Sequence, residues 1–122
     1  MENTERMVAL DDAWNAQDVA EVAKYHKPHV IVYWPGQPPT RGMDDHRTEA
    51  KAFFTTFPDQ HLENRPYKVL FGAGDWTCSM ARFTGTMKGA MGGTAPTGKS
   101  FDVDFCTVAL GWRPDFRGIL VL

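Results

Sequence analysis

The chain has 122 residues, 13 Lys plus Arg against 15 Asp plus Glu, and a formal charge of −2. One core is what that length supports, so residues 1–122 are read as a single domain. The near-neutral balance argues against a nucleic-acid partner, which a basic surplus would signal. No run approaches the roughly 20 apolar residues of a membrane span. Cys78 and Cys106 are too few for a disulfide scaffold, and the polar, acidic start Met1-Glu2-Asn3-Thr4-Glu5 is no secretory signal. A cytosolic protein is the expectation.

Residues 4–16 carry Met7, Leu10 and Trp14 at helical spacing. Asn15 and Gln17 break the pattern, Asp18 is a good N-cap for a short second helix, and Pro28 stops it. Val30-Ile31-Val32-Tyr33-Trp34 is β-branched and aromatic throughout and predicts a central strand buried on both faces. The proline-rich stretch 35–39 is loop. A third helix is predicted from Met43 or Asp44, with Ala50, Phe53, Phe54 and Phe57 on one face and Pro58 closing it. Asp44 and Asp45 suit its first turn.

Tyr67 to Phe71 reads as a strand and Gly72-Ala73-Gly74-Asp75 as a hairpin turn. Trp76, Cys78 and Met80 then alternate with Thr77, Ser79 and Ala81. Phe83 falls out of step with the apolar series, which predicts a bulge near Ala81-Arg82. Residues 85–98 read as a glycine-rich connection. Phe101, Val103, Phe105 and Thr107 alternate with Asp102, Asp104, Cys106 and Val108, the clearest strand of the chain. Helices early and antiparallel strands late predict an α+β fold, a curved sheet closed by three N-terminal helices into a cone with an apolar pocket.

Gly93-Thr94-Ala95-Pro96-Thr97-Gly98-Lys99-Ser100 satisfies the phosphate-loop pattern on paper. It lacks the buried strand before and the helix after that would aim amides at a phosphate, so it reads as a hairpin loop. His26 and His29 straddle Lys27-Pro28, and no set of His, Cys and acids has metal-ligand spacing; no metal and no cofactor are expected. His26 and His29 read as residues at a helix end, with a pocket-facing His29 kept as an acid–base candidate. Asp102 and Asp104 lie opposite the apolar face and read as a solvated or dimer-facing pair.

Several segments together resemble the SnoaL-like polyketide cyclases, of the nuclear transport factor two-like (NTF2-like) superfamily. They are Trp14-Asn15-Ala16-Gln17-Asp18, the segment from Trp34 to Gly42, Phe53-Phe54-Thr55-Thr56-Phe57-Pro58-Asp59, Gly74-Asp75-Trp76, Thr84-Gly85-Thr86 and Pro96-Thr97-Gly98-Lys99. The likeness runs from about Met7 to Ala109. It implies a cone-shaped domain, usually a homodimer, that holds a small apolar, oxygenated molecule. Family members close polyketide rings by metal-free acid–base chemistry, and relatives include isomerases. The resemblance matches Val32, Phe105 and Thr107 to the family's inner-face positions, and with the apolar side chains Trp34, Phe53, Phe57 and Met80 these make up the expected ligand-binding set.

Two departures stand out. The family's acid on the last strand aligns with Gly111, which leaves Asp115 as a substitute candidate. The usual turn and return strand is missing between Ala109 and Trp112, so the C-terminal strand is expected to be short or absent, with a partner chain or the tail from Phe116 to Leu122 covering the edge. Two readings follow: a small cyclase or isomerase, or a non-catalytic ligand-binding or dimeric interaction module. A carboxylate or histidine on the pocket with a perturbed pKa would discriminate between them.

Overall fold

The computed structural model describes residues 2–110 and the backbone of a last strand over 118–121. Three helices, α1 (Asn3–Asn15), α2 (Val19–Lys24) and α3 (Met43–Thr56), accompany seven strands: β1 (Ile31–Tyr33), β2 (Thr40–Arg41), β3 (His61–Leu62), β4 (Val69–Ala73), β5 (Trp76–Thr86), β6 (Ser100–Leu110) and β7 (Gly118–Val121). The strands form one sheet in the order β2-β1-β7-β6-β5-β3, with β4 also on β5. All pairings are antiparallel except β1 with β7. The α+β architecture is as the sequence predicts.

The motifs read from the sequence have local physical causes. Trp14 ends the helical face that packs on the core, and Asn15 fixes the end of α1 against β3. Its side-chain amide donates to the Leu62 carbonyl at 2.7 Å while its oxygen accepts from the Leu62 N–H at 2.8 Å. Asp18 caps α2 by accepting from the Glu21 N–H at 3.1 Å. Asp59 accepts from the Thr86 N–H at 2.8 Å, so the Phe-Pro-Asp and Thr-Gly-Thr blocks meet in space. Gly42 precedes α3 with φ at +88°, a conformation that favours glycine. There its N–H donates to the Val30 carbonyl and the Met43 N–H donates to that of Pro28, tying α3 to the approach of β1.

β5 and β6 pair without interruption from Trp76 opposite Leu110 to Thr86 opposite Ser100. The bulge expected near Ala81-Arg82 is therefore absent. The buried residues of β5 are Thr77, Ser79, Ala81, Phe83 and Gly85, while Trp76 is exposed and Cys78 and Met80 are half-buried. Phe83 is in step with the inner face. The sequence reading took the more apolar set as the inner one; the small residues face inward instead, leaving room for the helices and for Phe105, which pairs with Ala81. β1 also differs from expectation. Val32 is buried but Tyr33 is 40% exposed, so this strand has one outer face. The sheet edge beside β6 is covered by β7, from the tail, one of the two covers expected; Ile119 pairs with Ala109 on one side and with Val32 on the other. Residues 93–100 lead directly into β6, a strand and not a helix.

The core has two joined parts. Met7, Leu10, Ala13, Val22, Val30, Val32, Met43 and Ala109 pack beneath α1 and α2. Leu62, Ala81 and Phe83 form the second part with Phe53, Phe101 and Phe105 around them. Phe83 is the hub: its ring centroid lies 5.8 Å from Phe53, 5.1 Å from Phe101 and 5.0 Å from Phe105, distances at which aromatic pairs attract.

Candidate active site

Between the helices and the inner sheet face lies a cavity of about 60 Å³. Its open surface is almost wholly apolar: Leu10 and Trp14 from α1, Val32 and Trp34 from the β1 region, Leu62, Phe83 and Phe105. Three ionisable residues and one hydroxyl complete the wall, Asp11, His26, His46 and Thr107. A wider vestibule of about 500 Å³ adjoins it, sharing Trp14 and Trp34 and adding Gln37, Glu49, Phe53 and the segment Ala90-Met91-Gly92. That segment is held to the end of α3, where Thr56 Oγ1 donates to the Ala90 carbonyl at 2.9 Å. A Cβ on Gly89 would come within 2.2 Å of the Thr55 carbonyl oxygen, so only glycine allows this approach.

Asp11 sits one position after Leu10 on α1, turned from the helix exterior toward Tyr67. The Tyr67 hydroxyl lies 2.5 Å from Asp11 Oδ2 and 3.0 Å from the Met7 carbonyl. Burial drives the Asp11 pKa up to about 7; the Tyr67 hydrogen bond pulls the other way and the neighbouring Asp12 adds to the rise. Tyr67 is itself held far above the ordinary phenol range, first by burial and then by the Asp11 charge. Asp12, one residue on, points outward to Arg65 and Asn64, and its pKa is lowered by the Arg65 hydrogen bond. Two adjacent carboxyls are thus pushed in opposite directions by their surroundings, the arrangement that separates an acid from an anion.

The α3 side carries a second group. His46 is buried, and its Nδ1 lies 2.7 Å from Glu49 Oε1, one helical turn away. The same carboxylate accepts from Trp34 Nε1 at 2.6 Å and from Thr40 Oγ1 at 2.7 Å. Burial alone would raise the Glu49 pKa; the hydrogen bonds from His46, Trp34 and Thr40 outweigh it and hold the carboxyl below its usual range. The His46 ring stacks near Trp14, with centroids 6.4 Å apart, and lies 5.1 Å from the His26 ring. His26 Nδ1 lies 2.8 Å from the Val22 carbonyl, which can only accept, so Nδ1 carries the proton. Burial, followed by the proximity of His46, lowers the His26 pKa to about 4, leaving this ring neutral near pH 7.

Of the seven positions implied as ligand-binding, Val32, Trp34, Phe105 and Thr107 line the cavity and Phe53 the vestibule. Phe57 lines neither and packs tilted against Phe53 and edge-on against Phe101, with centroids 5.0 and 5.2 Å away. Met80 lies on the outer sheet face with Cys78, for the reason of strand phase given above. His29 is exposed in the turn before β1 and does not reach the cavity, because Pro28 and the tie to α3 turn it outward. Asp115 and Gly111 lie outside the described residues. Asp102 and Asp104 are on the outer face, paired with Arg82 and Lys68. The sequence reading missed Asp11, His46, Glu49 and Tyr67 and assigned His26 to a helix end. Asp11 carried a signal, an acid directly beside two residues of an apolar helical face. For Glu49 the only signal was its i+3 spacing from His46.

A curved sheet capped by helices around an apolar cavity with buried ionisable groups is the NTF2 and ketosteroid isomerase-like fold. The SnoaL-like polyketide cyclase family matches residues 4–110, and the chain belongs to that family. Among solved structures, a candidate SnoaL-like polyketide cyclase from Jannaschia sp. CCS1 is 21% identical with a TM-score of 0.84, covering 98% of this chain and 83% of that one. A candidate polyketide cyclase from Pseudomonas putida KT2440 reaches a TM-score of 0.87 at 14% identity, over 100% and 91% of the two chains. A Catenulispora acidiphila protein with a ketosteroid isomerase-like fold, solved with trimethylamine, gives 0.77 at 14% identity, over 97% and 84%. No curated protein matches the chain. Among the described residues, no helix is long and apolar enough to cross a membrane.

Proposed function

We propose that this protein is a cyclase or isomerase that moves protons on a small apolar, oxygenated molecule of the polyketide type, with Asp11 as its acid–base group. The observation that carries this reading is a carboxyl on the wall of an apolar cavity whose pKa, raised by burial to about 7, lets it give and take a proton near neutrality. Asp11 thereby supplies the function for which the family places an acid on the last strand. The family chemistry forms an enolate beside a carbonyl. A protonated Asp11 donates a hydrogen bond to the developing oxyanion in a site of low polarity, where such a bond is strongest. Trp14, Trp34 and Phe105 offer flat surfaces for a conjugated chain.

The reading extends to assembly and place. The outer sheet face exposes Val69, Phe71 and Trp76, a patch suited to a second copy of the chain, and the free thiols Cys78 and Cys106 fit a reducing cytosol. The test is turnover of methyl-ester triketides and tetraketides, following product by mass spectrometry. Wild type is expected to accelerate cyclisation, and Asp11→Asn to lose about 10²–10⁴-fold of that rate. No acceleration by wild type over the uncatalysed rate overturns the proposal. Light scattering that gives a monomer mass at micromolar concentration removes the dimer from it.

A further inference from the structure

The Asp11 reading leaves a second buried cluster without a task. His46 and Glu49 share one turn of α3, and Glu49 Oε1 and Oε2 together accept from three donors, His46, Trp34 and Thr40. Such saturation leaves the carboxylate little freedom to rotate. Because an ionised carboxylate only accepts, the neutral His46 ring must place its proton on Nδ1, and its bare nitrogen is then Nε2. His46 lines the inner cavity, while Glu49 lines the vestibule. The pair therefore spans the wall between the two spaces.

We propose that His46 is the general base of this site, held in its Nδ1-protonated form by Glu49 as positioning residue, and that it works across the cavity from Asp11. The inference rests on the proton-transfer reading above and extends it to a second residue. His46 Nε2 takes a proton from a carbon beside a carbonyl: the C–H bond breaks, an N–H bond forms, and the electron pair passes to the carbonyl oxygen as an enolate. The enolate carbon attacks a second carbonyl carbon, a C–C bond forms, and the new alkoxide takes the proton of Asp11. The product is an isomer of the substrate. The site resets when the proton on His46 returns to Asp11 directly or through solvent. No oxidant or further reactant enters. The groups that face His46 are Glu49 on its own helix, His26 beyond α2, and Trp14 on α1. His26 is neutral near pH 7, so it presents a lone pair or an uncharged ring and does not compete for the carboxylate.

The substrate class follows from the same placement. The inner cavity is small and apolar and the vestibule is wider and holds Gln37 and Glu49. An elongated molecule would put its acidic carbon inside and its ester end in the vestibule.

The experiment compares wild type, Asp11→Asn, Glu49→Gln and His46→Gln on the methyl-ester triketides, with ¹⁵N NMR of the imidazoles in the same samples. Because Trp34 and His46 both donate to Glu49 Oε1, Glu49→Gln keeps the shape but turns the acceptor they share from a carboxylate oxygen into a weaker amide oxygen, or, with the amide turned over, into a donating nitrogen; either way the hold on the His46 tautomer relaxes. It is expected to shift His46 toward the Nε2-protonated form and to lower kcat about 10²-fold or more, with KM changed less. His46→Gln is expected to lose at least as much, with a native circular dichroism spectrum showing that it folds. If wild type is active and Asp11→Asn is not, while Glu49→Gln keeps full rate, the His46 proposal is overturned and the Asp11 reading stands. Loss of rate in Glu49→Gln with an unchanged tautomer also overturns it. An inactive wild type removes both.

Discussion

Carboxyls on the two sides of the β5–β6 ribbon meet opposite fates. On the outer face Arg82 forks onto Asp102, and Lys68 meets Asp104, all in solvent. Arg82 holds the Asp102 carboxyl below its ordinary range, yet both partners lose little by being apart, since water solvates each. On the inner side Asp11, carried by α1, is buried beside Tyr67, whose hydroxyl lies 2.5 Å from its carboxyl, and becomes a weak acid near pH 7. A carboxyl beside a cation in water stays ionised; one beside a phenol in an apolar wall keeps its proton to near neutrality. Location in the fold, not residue type, assigns the chemistry.

That contrast is broken most directly by moving a charge from one face to the other. Phe105→Asp places a carboxylate among Trp34, Phe83 and the largely apolar cavity wall. It is expected to cost about 4 kcal/mol or more, through lost aromatic packing and an unpaired buried charge. Urea denaturation reads this directly, and a variant as stable as wild type with unchanged ligand affinity would contradict the inner-face assignment.

Next in size is the pH dependence. Asp11 has a folded pKa raised from 3.8 to about 7. Its contribution to stability is therefore fully present below pH 3.8 and is lost as pH rises toward and through 7, by up to about 4 kcal/mol at 1.36 kcal/mol per unit. Asp11→Asn cannot ionise, so its stability relative to wild type is expected to grow between pH 4 and 8. His26 has the opposite sign. Its folded pKa is lowered from 6.5 to about 4, so its contribution is present above pH 6.5 and is lost as pH falls through 4, by up to about 3 kcal/mol. In wild type the two slopes oppose one another between pH 4 and 6.5 and flatten the curve. His26→Gln removes one of them and is expected to expose a falling stability with rising pH in that window. Denaturant midpoints at four or five pH values distinguish the cases.

The smallest effect belongs to the outer face. Asp102→Asn is expected to leave the thermal midpoint almost unchanged at physiological salt, because the pair with Arg82 is solvated and screened. A large drop would mean that this face is buried by a partner in solution.

Legibility followed the same division. The helices were readable because Met7 and Leu10, or Ala50 and Phe54, repeat at the helical period, and Asp18, Gly42 and Pro58 punctuate them. β6 was readable because one side is apolar and the other acidic. β5 was readable as a strand but its phase was not, because its inner side needs small residues beneath α1 and its outer side is the more apolar, reversing the usual pattern. The two-residue strands β2 and β3 are too short to show any period. The buried ionisable groups were hidden for a different reason. Asp11, His46 and Glu49 become special only through Tyr67, Trp34 and Thr40, which stand 56, 15 and 9 residues from the groups they bond. No local pattern encodes a hydrogen bond across 56 positions.

Trp34 stands at the border of both cavities, its indole nitrogen anchored to Glu49, with Trp14 across from it. Anything entering the hollow must change the surroundings of at least one of these two indoles. The molecule thus carries a built-in optical gauge: quenching or a wavelength shift of its native fluorescence can rank candidate compounds by occupancy before any product is identified, and replacing Trp76 on the outer surface removes much of the uninformative background.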